Sequence, residues 1–385
     1  MRFPEFSGEW NKYTINDLAT VVGGGTPDTT VKSYWGGDIQ WFTPSEIGKN
    51  KYVDFSLRTI TRDGLDNSSA KLLPLYTILL SSRATVGECS IASNECTTNQ
   101  GFQSLIAKQC NIDFLYYLIQ TKKKDLIRNA CGSTFLEISA NEIRKIKVAV
   151  PVQNEQEQIA KLLSLIDERI ATQNKIIEKL QSLIKGLVDE LMTVLLKGKL
   201  YPFSSFYIKA GEGGTPTTSV VEYYTEGTIP FIKIEDLSCK YLTNNKDFIT
   251  ELGMQKSSAW LIPSKSVIYS NGATIGAISI NEYPVCTKQG ILGIVPNTNI
   301  NVEYLYLLMS SSYFSKEISR IITEGTMKTA YLKDINHIKC PLPSMAQQKN
   351  ITNLTSSIEE KLSIEQELLR FLNLQKQYLL HMIFI

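Results

Sequence analysis

The sequence predicts an α/β (α+β) tandem repeat: two irregular mixed α/β domains separated by two long α-helices that form an antiparallel coiled coil, pseudo-twofold symmetric. One observation is that the chain is written twice. Gly24-Gly25-Thr26-Pro27 recurs as Gly213-Gly214-Thr215-Pro216, and Leu72-Leu73-Pro74 through Ala84-Thr85-Val86-Gly87 recurs as Leu261-Ile262-Pro263 through Ala273-Thr274-Ile275-Gly276, both at an offset of 189. Gln100-Gly101 then matches Gln289-Gly290, Asn111 to Tyr116 matches Asn301 to Tyr306, and Ile146-Lys147 with Pro151 matches Ile338-Lys339 with Pro343. An offset near half of a 385-residue chain means two copies of one large unit, because solenoid repeats have periods of about 20 to 50 residues. The other observation is a change of hydrophobic period at each of those two prolines.

In the first copy, short apolar runs at Ile39 to Thr43, Thr77 to Ser81 and Glu88 to Ala92 lie between Gly, Pro and Asn punctuation and read as strands. One helix is expected over Ile112 to Asn129, with its counterpart over Val302 to Thr323. After Pro151 a heptad begins: Ile159, Leu163, Ile166, Ile170, Gln173, Ile177, Leu180, Ile184, Leu187, Leu191 and Val194 step by four and three, and only Gln173 is polar. A helix from Gln153 to Leu196 would be about 65 Å long, too long for one globular domain to bury, so it needs a partner helix. Gly198 followed by Pro202 ends it. After Pro343 the second copy supplies Ile351, Leu354, Ile358, Leu362, Leu369, Leu372 and Leu379, a stripe blurred by Glu365 and Lys376. The two helices pair with each other antiparallel or with helices of another subunit. The domain boundaries follow as 1–151, 152–198, 199–343 and 344–385.

Composition narrows the classes. With 43% apolar residues each domain can bury a core, and no run of about 18 apolar residues could span a membrane. The N-terminus has no apolar signal region, so a cytoplasmic protein is expected. Seven cysteines, odd in number and without Cys-x-x-Cys spacing, have only His337 and His381 to help them hold zinc. Buried free thiols and no metal site are expected. Net charge is +2, so a basic surface must come from folding that gathers cations on one face.

Four pairs of motifs are candidates for ligand contact. The Gly-Gly-Thr-Pro turns lack the Gly-Lys-Ser/Thr ending of a nucleotide P-loop, and Thr26 and Thr215 serve either a ligand or the turn itself. Aromatic pairs, Tyr34-Trp35 and Tyr223-Tyr224, follow and read as core. The frames ending Ala-Thr-Val/Ile-Gly hold Ser82-Arg83 in one copy and Asn271-Gly272 in the other, and Asn99-Gln100 stands opposite Lys288-Gln289. A shared frame with different Arg, Asn, Gln and Lys side chains is what two readers of different base sequences need, because such side chains pair with base edges in the major groove; neutral drift of surface loops is the competing explanation. The glycine turns carrying Ser133 and Thr134, and Thr326 and Lys328, suit phosphate contact. The run Lys122-Lys123-Lys124 with Arg128 reads as a solvated helix face. No Walker motif, no His-Glu-x-x-His, no amino-methyltransferase Asn/Asp-Pro-Pro-Tyr/Phe and no nuclease carboxylate cluster is present, so no catalytic residues are expected.

The order of these motifs resembles a known family. Gly-Gly-Thr-Pro, an aromatic pair, Gly-x-Ile-x-Trp/Phe, Ala-Thr-Val/Ile-Gly, Gln-Gly and Ile-x-x-Ile-Lys ending in Pro before a long helix, all in duplicate, is similar to the specificity subunit of Type I restriction-modification systems. The opening Arg2-Phe3-Pro4-Glu5-Phe6 with Gly8-Glu9-Trp10 is similar as well. The resemblance covers essentially the whole chain. It implies that 1–151 and 199–343 are target-recognition domains, each reading half of a bipartite site in double-stranded DNA. The helices would be conserved spacers that dock two methyltransferase subunits. Those partners would carry S-adenosylmethionine and methylate adenine N6, and motor-nuclease subunits would use ATP and Mg; this chain would bind no cofactor and catalyse nothing alone. One departure is Ala346-Gln347-Gln348 where the first copy has Asn154-Glu155-Gln156. The alternatives are a stand-alone nuclease or methyltransferase with divergent motifs, and a repeat scaffold that binds no DNA.

Overall fold

The computed structural model describes residues 3–132, 136–322 and 328–384. The chain forms two compact units, Met1–Asn174 with Glu367–Ile385, and Lys175–Gln366. Each unit therefore holds one mixed domain and part of both long helices.

The first unit contains β1 (Asn11–Thr14), β2 (Ala19–Gly23), β3 (Trp35–Phe42), β4 (Tyr52–Val53), β5 (Arg58–Ile60), β6 (Ile78–Leu80), β7 (Cys89–Ala92), β8 (Cys96–Thr98), β9 (Gln103–Ala107) and β10 (Lys147–Val150). They form a five-stranded sheet of order β2-β9-β6-β7-β4, a three-stranded sheet of order β5-β3-β8, and the antiparallel pair β1-β10. Successive residues of a strand face opposite ways, and β6 shows it. Ile78 and Leu80 pack into the core beneath the helix Ile112–Thr121, whereas Leu79 packs with Phe42, Leu73 and Phe102 on the other side. A strand buried on both faces reads as a continuous apolar run.

The second unit repeats this topology. Its strands are β11 (Leu200–Pro202), β12 (Tyr207–Glu212), β13 (Ile229–Ile232), β14 (Tyr241–Leu242), β15 (Asp247–Ile249), β16 (Val267–Ser270), β17 (Ile278–Asn281), β18 (Cys286–Thr287), β19 (Ile291–Pro296) and β20 (Lys339–Pro341). The orders are β12-β19-β16-β17-β14, β15-β13-β18 and β11-β20.

Both expected single helices are broken. The first copy has Ile112–Thr121 and Lys123–Arg128, because the Thr121 hydroxyl donates to Leu118 O and the Lys122 amide turns back to Ile119 O. The second has Val302–Ser310 and Ser312–Ile321, with extended Ser311 accepting from Phe314 N as a cap. The lysine run is partly engaged: Lys123 pairs with Glu88, and Arg128 with Asp125 at 3.2 Å.

The two long helices are Gln153–Leu195 and Met345–Ile383. In the first unit they are antiparallel: Asp167 meets Lys376 at 2.7 Å, and nearer their ends Trp10 touches both Glu155 and Phe384. In the second unit Val188 and Met192, late in one helix, share a core with Ile351, early in the other. Ile159, Leu163, Ile166, Gln173 and Ile177 are buried, and Ile170, Leu180, Ile184, Leu187 and Leu191 are half-buried. Val194, placed in the seam by its spacing, is 61% exposed, and Val188 and Met192 are buried instead. A straight helix of 3.6 residues per turn drifts from a 3.5-residue repeat, and here Phe203 and Phe206 of the mixed domain draw in the drifted face. Leu354 is likewise exposed, and buried Thr355 takes its place. With that correction the second stripe is a regular heptad of Ile351, Thr355, Ile358, Leu362, Glu365, Leu369, Leu372, Lys376, Leu379 and Ile383, every member at least half-buried.

Five cysteines are buried, but Cys131 and Cys239 are exposed, contrary to the expectation of seven buried thiols. Cys131 lies on a surface backbone bridge to Glu137 and Cys239 in the turn before β14, where no sheet covers them. Burial pushes the thiols of Cys89, Cys96 and Cys110 up to about 12 and that of Cys286 up to about 11. Among the described residues no helix is long and apolar enough to cross a membrane.

Candidate nucleic-acid interface

In the first unit, four segments separate in sequence meet at one place. The Gly-Gly-Thr-Pro turn is tied to the end of β8 by Gly25 N donating to Thr98 O at 2.8 Å, and the Thr26 hydroxyl donates to Gln100 Oε1. A Cβ on Gly24 would stand 2.0 Å from Asn99 O, and one on Gly25 would stand 2.3 Å from Ala70 N. Only glycine lets the two backbones approach so closely. The loop after β6 joins them through Ser82 N, which donates to Gly101 O at 2.8 Å, and Ser82 O accepts from Ile138 N, in the segment before the helix Ala140–Lys145, at 3.0 Å.

The second unit builds the same junction. Thr215 Oγ1 accepts from Gln289 N at 3.3 Å, Asn271 N donates to Gly290 O at 3.0 Å, and Ala330 N donates to Asn271 O at 2.9 Å. A Cβ on Gly213 would stand 2.1 Å from Thr287 O. The duplicated motifs thus mark the positions where these loops lock together.

The structure sorts the candidate contacts. Gln100, Lys288, Gln289 and Lys328 are exposed, and Thr26, Asn99 and Thr215 are half-exposed. Asn99 spends its side-chain oxygen on Gly101 N at 2.9 Å, which shapes the turn. Arg83 keeps 43% of its side chain exposed but is bound to Glu137 through Nε at 3.2 Å and Nη2 at 2.7 Å. Ser82 and Asn271 are fully buried and cannot touch DNA. Each sits where its loop crosses two others, and the Asn271 amide donates to Ala330 O at 3.1 Å, so both serve the junction. Ser133, Thr134 and Thr326 lie outside the described residues. Trp35 and Tyr224 hold the turns: Trp35 Nε1 donates to Asp28 O at 3.1 Å, and the Tyr224 hydroxyl to Pro216 O at 2.5 Å.

Residues 7–182 and 206–373 match the family model described as the Type I restriction modification DNA specificity domain. The chain belongs to this family. It is 29% identical to the Type I restriction enzyme MjaIX specificity subunit of Methanocaldococcus jannaschii over 382 residues, covering 92% of this chain and 88% of the relative. It is 28% identical to the Escherichia coli EcoR124I/EcoR124II specificity subunit over 175 residues, 43% of each chain. The fold is similar to that of the Type I restriction-modification S subunit from M. genitalium, with a TM-score of 0.55 at 19% identity over 100% of this chain and 99% of that one. A chain from a structure titled for complex assembly and conformational transition of the type I R-M system matches with a TM-score of 0.62 at 14% identity, covering 99% and 98%.

As a specificity subunit the chain is a DNA-recognising, non-catalytic component of its system. Two further pairs of residues hold the recognition domains of this subunit on their helices. Gln156 and Gln348, each buried in the first turn of a long helix, make matching bonds. Gln156 Oε1 accepts from Asn111 N at 3.0 Å and its Nε2 donates to Pro151 O at 3.0 Å; Gln348 Oε1 accepts from Asn301 N at 2.8 Å and its Nε2 donates to Pro343 O at 2.9 Å. Lys51 meets Asp113 at 2.7 Å and donates to Ser164 at 2.6 Å, and Lys240 meets Glu303 and Glu359, each at 2.6 Å. The signal for the lysines was present in the sequence, since Lys51-Tyr52 recurs as Lys240-Tyr241 at the same offset of 189.

Proposed function

We propose that this specificity subunit recognises a bipartite target in double-stranded DNA, one half-site per mixed domain, and positions two methyltransferase subunits on its long helices. The observation that carries the reading is the duplicated loop junction. Its backbone frame recurs in both units while the side chains on it differ: half-exposed Asn99 against exposed Lys288, and half-exposed Arg83 against buried Gly272. A constant frame with exchanged polar side chains alters which base edges can be paired without altering how the loops are held. The adenine N6 chemistry then belongs to the methyltransferase, with its S-adenosylmethionine, and translocation and cleavage to motor-nuclease subunits with ATP and Mg. The experiment is methyl transfer to DNA from labelled S-adenosylmethionine by the purified chain, by its methyltransferase and by both together. Sequence-specific transfer only by the pair supports the reading; transfer by this chain alone, or no sequence preference from the pair, overturns it.

A further inference from the structure

The first unit carries an arginine in a built setting that the second lacks. Arg58 opens β5 directly opposite Trp41 of β3, and its guanidinium carbon lies 3.6 Å from the centre of the Trp35 ring and 5.6 Å from that of Trp41. The two indoles meet edge to face, with centroids 5.0 Å apart. Each also grips the Gly-Gly-Thr-Pro turn, Trp41 Nε1 through Gly25 O at 2.9 Å and Trp35 Nε1 through Asp28 O at 3.1 Å. Arg58 is therefore fixed to the turn whose Thr26 bonds Gln100. It is exposed, and among the described residues no carboxylate pairs with it.

The matching position in the second unit is inverted. Phe231 stands for Trp41 and, opposite it, Asp247 stands for Arg58, paired with Lys233 at 2.8 Å. The segment before Arg58 is also presented outward, with Phe55 80% and Leu57 87% exposed, where the second unit has Asn244 and Lys246. A guanidinium stacked on an aromatic ring keeps its planar fork of donors in one orientation and gives up little freedom on forming two parallel bonds. Two acceptors side by side are what the major-groove edge of guanine offers, and apolar neighbours suit a thymine methyl.

We infer that Arg58, held over Trp35, is a specificity-determining residue that reads a guanine in the half-site of the first domain and has no counterpart in the second. The inference rests on the half-site reading above. The test measures binding of the full chain, assembled with its methyltransferase, to its target and to targets with each half-site altered one base pair at a time, for wild type, Arg58→Ala, Arg58→Lys and Trp35→Phe. Arg58→Ala and Arg58→Lys should each lose roughly tenfold discrimination at one G·C pair of one half-site. Trp35→Phe, which keeps a ring beneath the guanidinium, should retain most of it. Equal weakening on every sequence with a salt slope flatter by about one marks a phosphate contact and overturns the inference, as does unchanged discrimination in Arg58→Ala. A wild-type complex that shows no half-site preference would instead remove the reading on which the inference stands.

Discussion

Lys376 of the second long helix places its ammonium 2.7 Å from the Asp167 carboxylate of the first, each side chain only 20% exposed. The Tyr117 hydroxyl donates to the same carboxylate at 2.6 Å. Removing the lysine leaves a largely buried carboxylate with a tyrosine alone. Lys376→Ala should cost about 2 kcal/mol, between the roughly 0–1 of exposed pairs and the 3–5 of broken buried ones. Urea unfolding of the full chain measures it; an unchanged midpoint would show that the pair contributes nothing to helix association.

This pair also shows what could be read in advance. The sequence exposes a heptad through its apolar members, and Glu365 and Lys376 look like interruptions because a polar seam residue makes sense only beside its partner. Asp167 lies on another helix, and no periodicity links it to Lys376. At two loop positions, Ser82 and Asn271, the reading failed for a similar reason. Ser82 and Asn271 differ between matching frames just as a pair of base readers would, but a junction residue and a reader differ only in burial, which depends on long-range contacts. The duplicated glycines were legible as turns, while the approach of Asn99 O and Thr287 O that requires them was not.

Gln156 and Gln348 make matching bonds on opposite sides of the repeat, although the residues before them differ. Truncating either to Ala leaves a partly buried backbone N–H at Asn111 or Asn301 without this partner, at a cost of roughly 1–3 kcal/mol. The two variants should be destabilised to similar extents in denaturant titrations. A large loss for one and none for the other would show that the domains are held on their helices by different means.

Gln100, Lys288 and Gln289 are exposed at the junctions, so their truncation should each relax one position of one half-site by about 1–3 kcal/mol while leaving folding intact. Asn271→Ala should behave oppositely, lowering the unfolding midpoint through the lost bond to Ala330 O. Lys328→Ala should weaken binding on all sequences and flatten the salt slope by about one. Competition binding against half-site variants at several salt concentrations separates these outcomes, and uniform loss for the three exposed residues would show that none reads sequence.

The two exposed thiols provide a footprint. At neutral pH a thiol reagent should modify Cys131 and Cys239 quickly and the buried thiols, raised to about 11 to 12 at Cys286, Cys89, Cys96 and Cys110, only on unfolding. Cys131 is bridged to Glu137, the partner of Arg83, at the first loop junction, whereas Cys239 precedes the lysine that meets the long helix. Target DNA should slow labelling of Cys131 and leave Cys239 unchanged. Peptide mass mapping reads both, and protection of Cys239 alone would place DNA elsewhere on the chain.

Independent reading of one half-site by each mixed domain is the proposed division of labour. It is tested most directly by replacing residues 1–151 with a second copy of residues 199–343 and sequencing the methylated sites in cells that carry the variant with its methyltransferase. Two identical readers should give a near-palindromic target made of the second half-site and its inverse. The original bipartite motif, unchanged, would contradict the account.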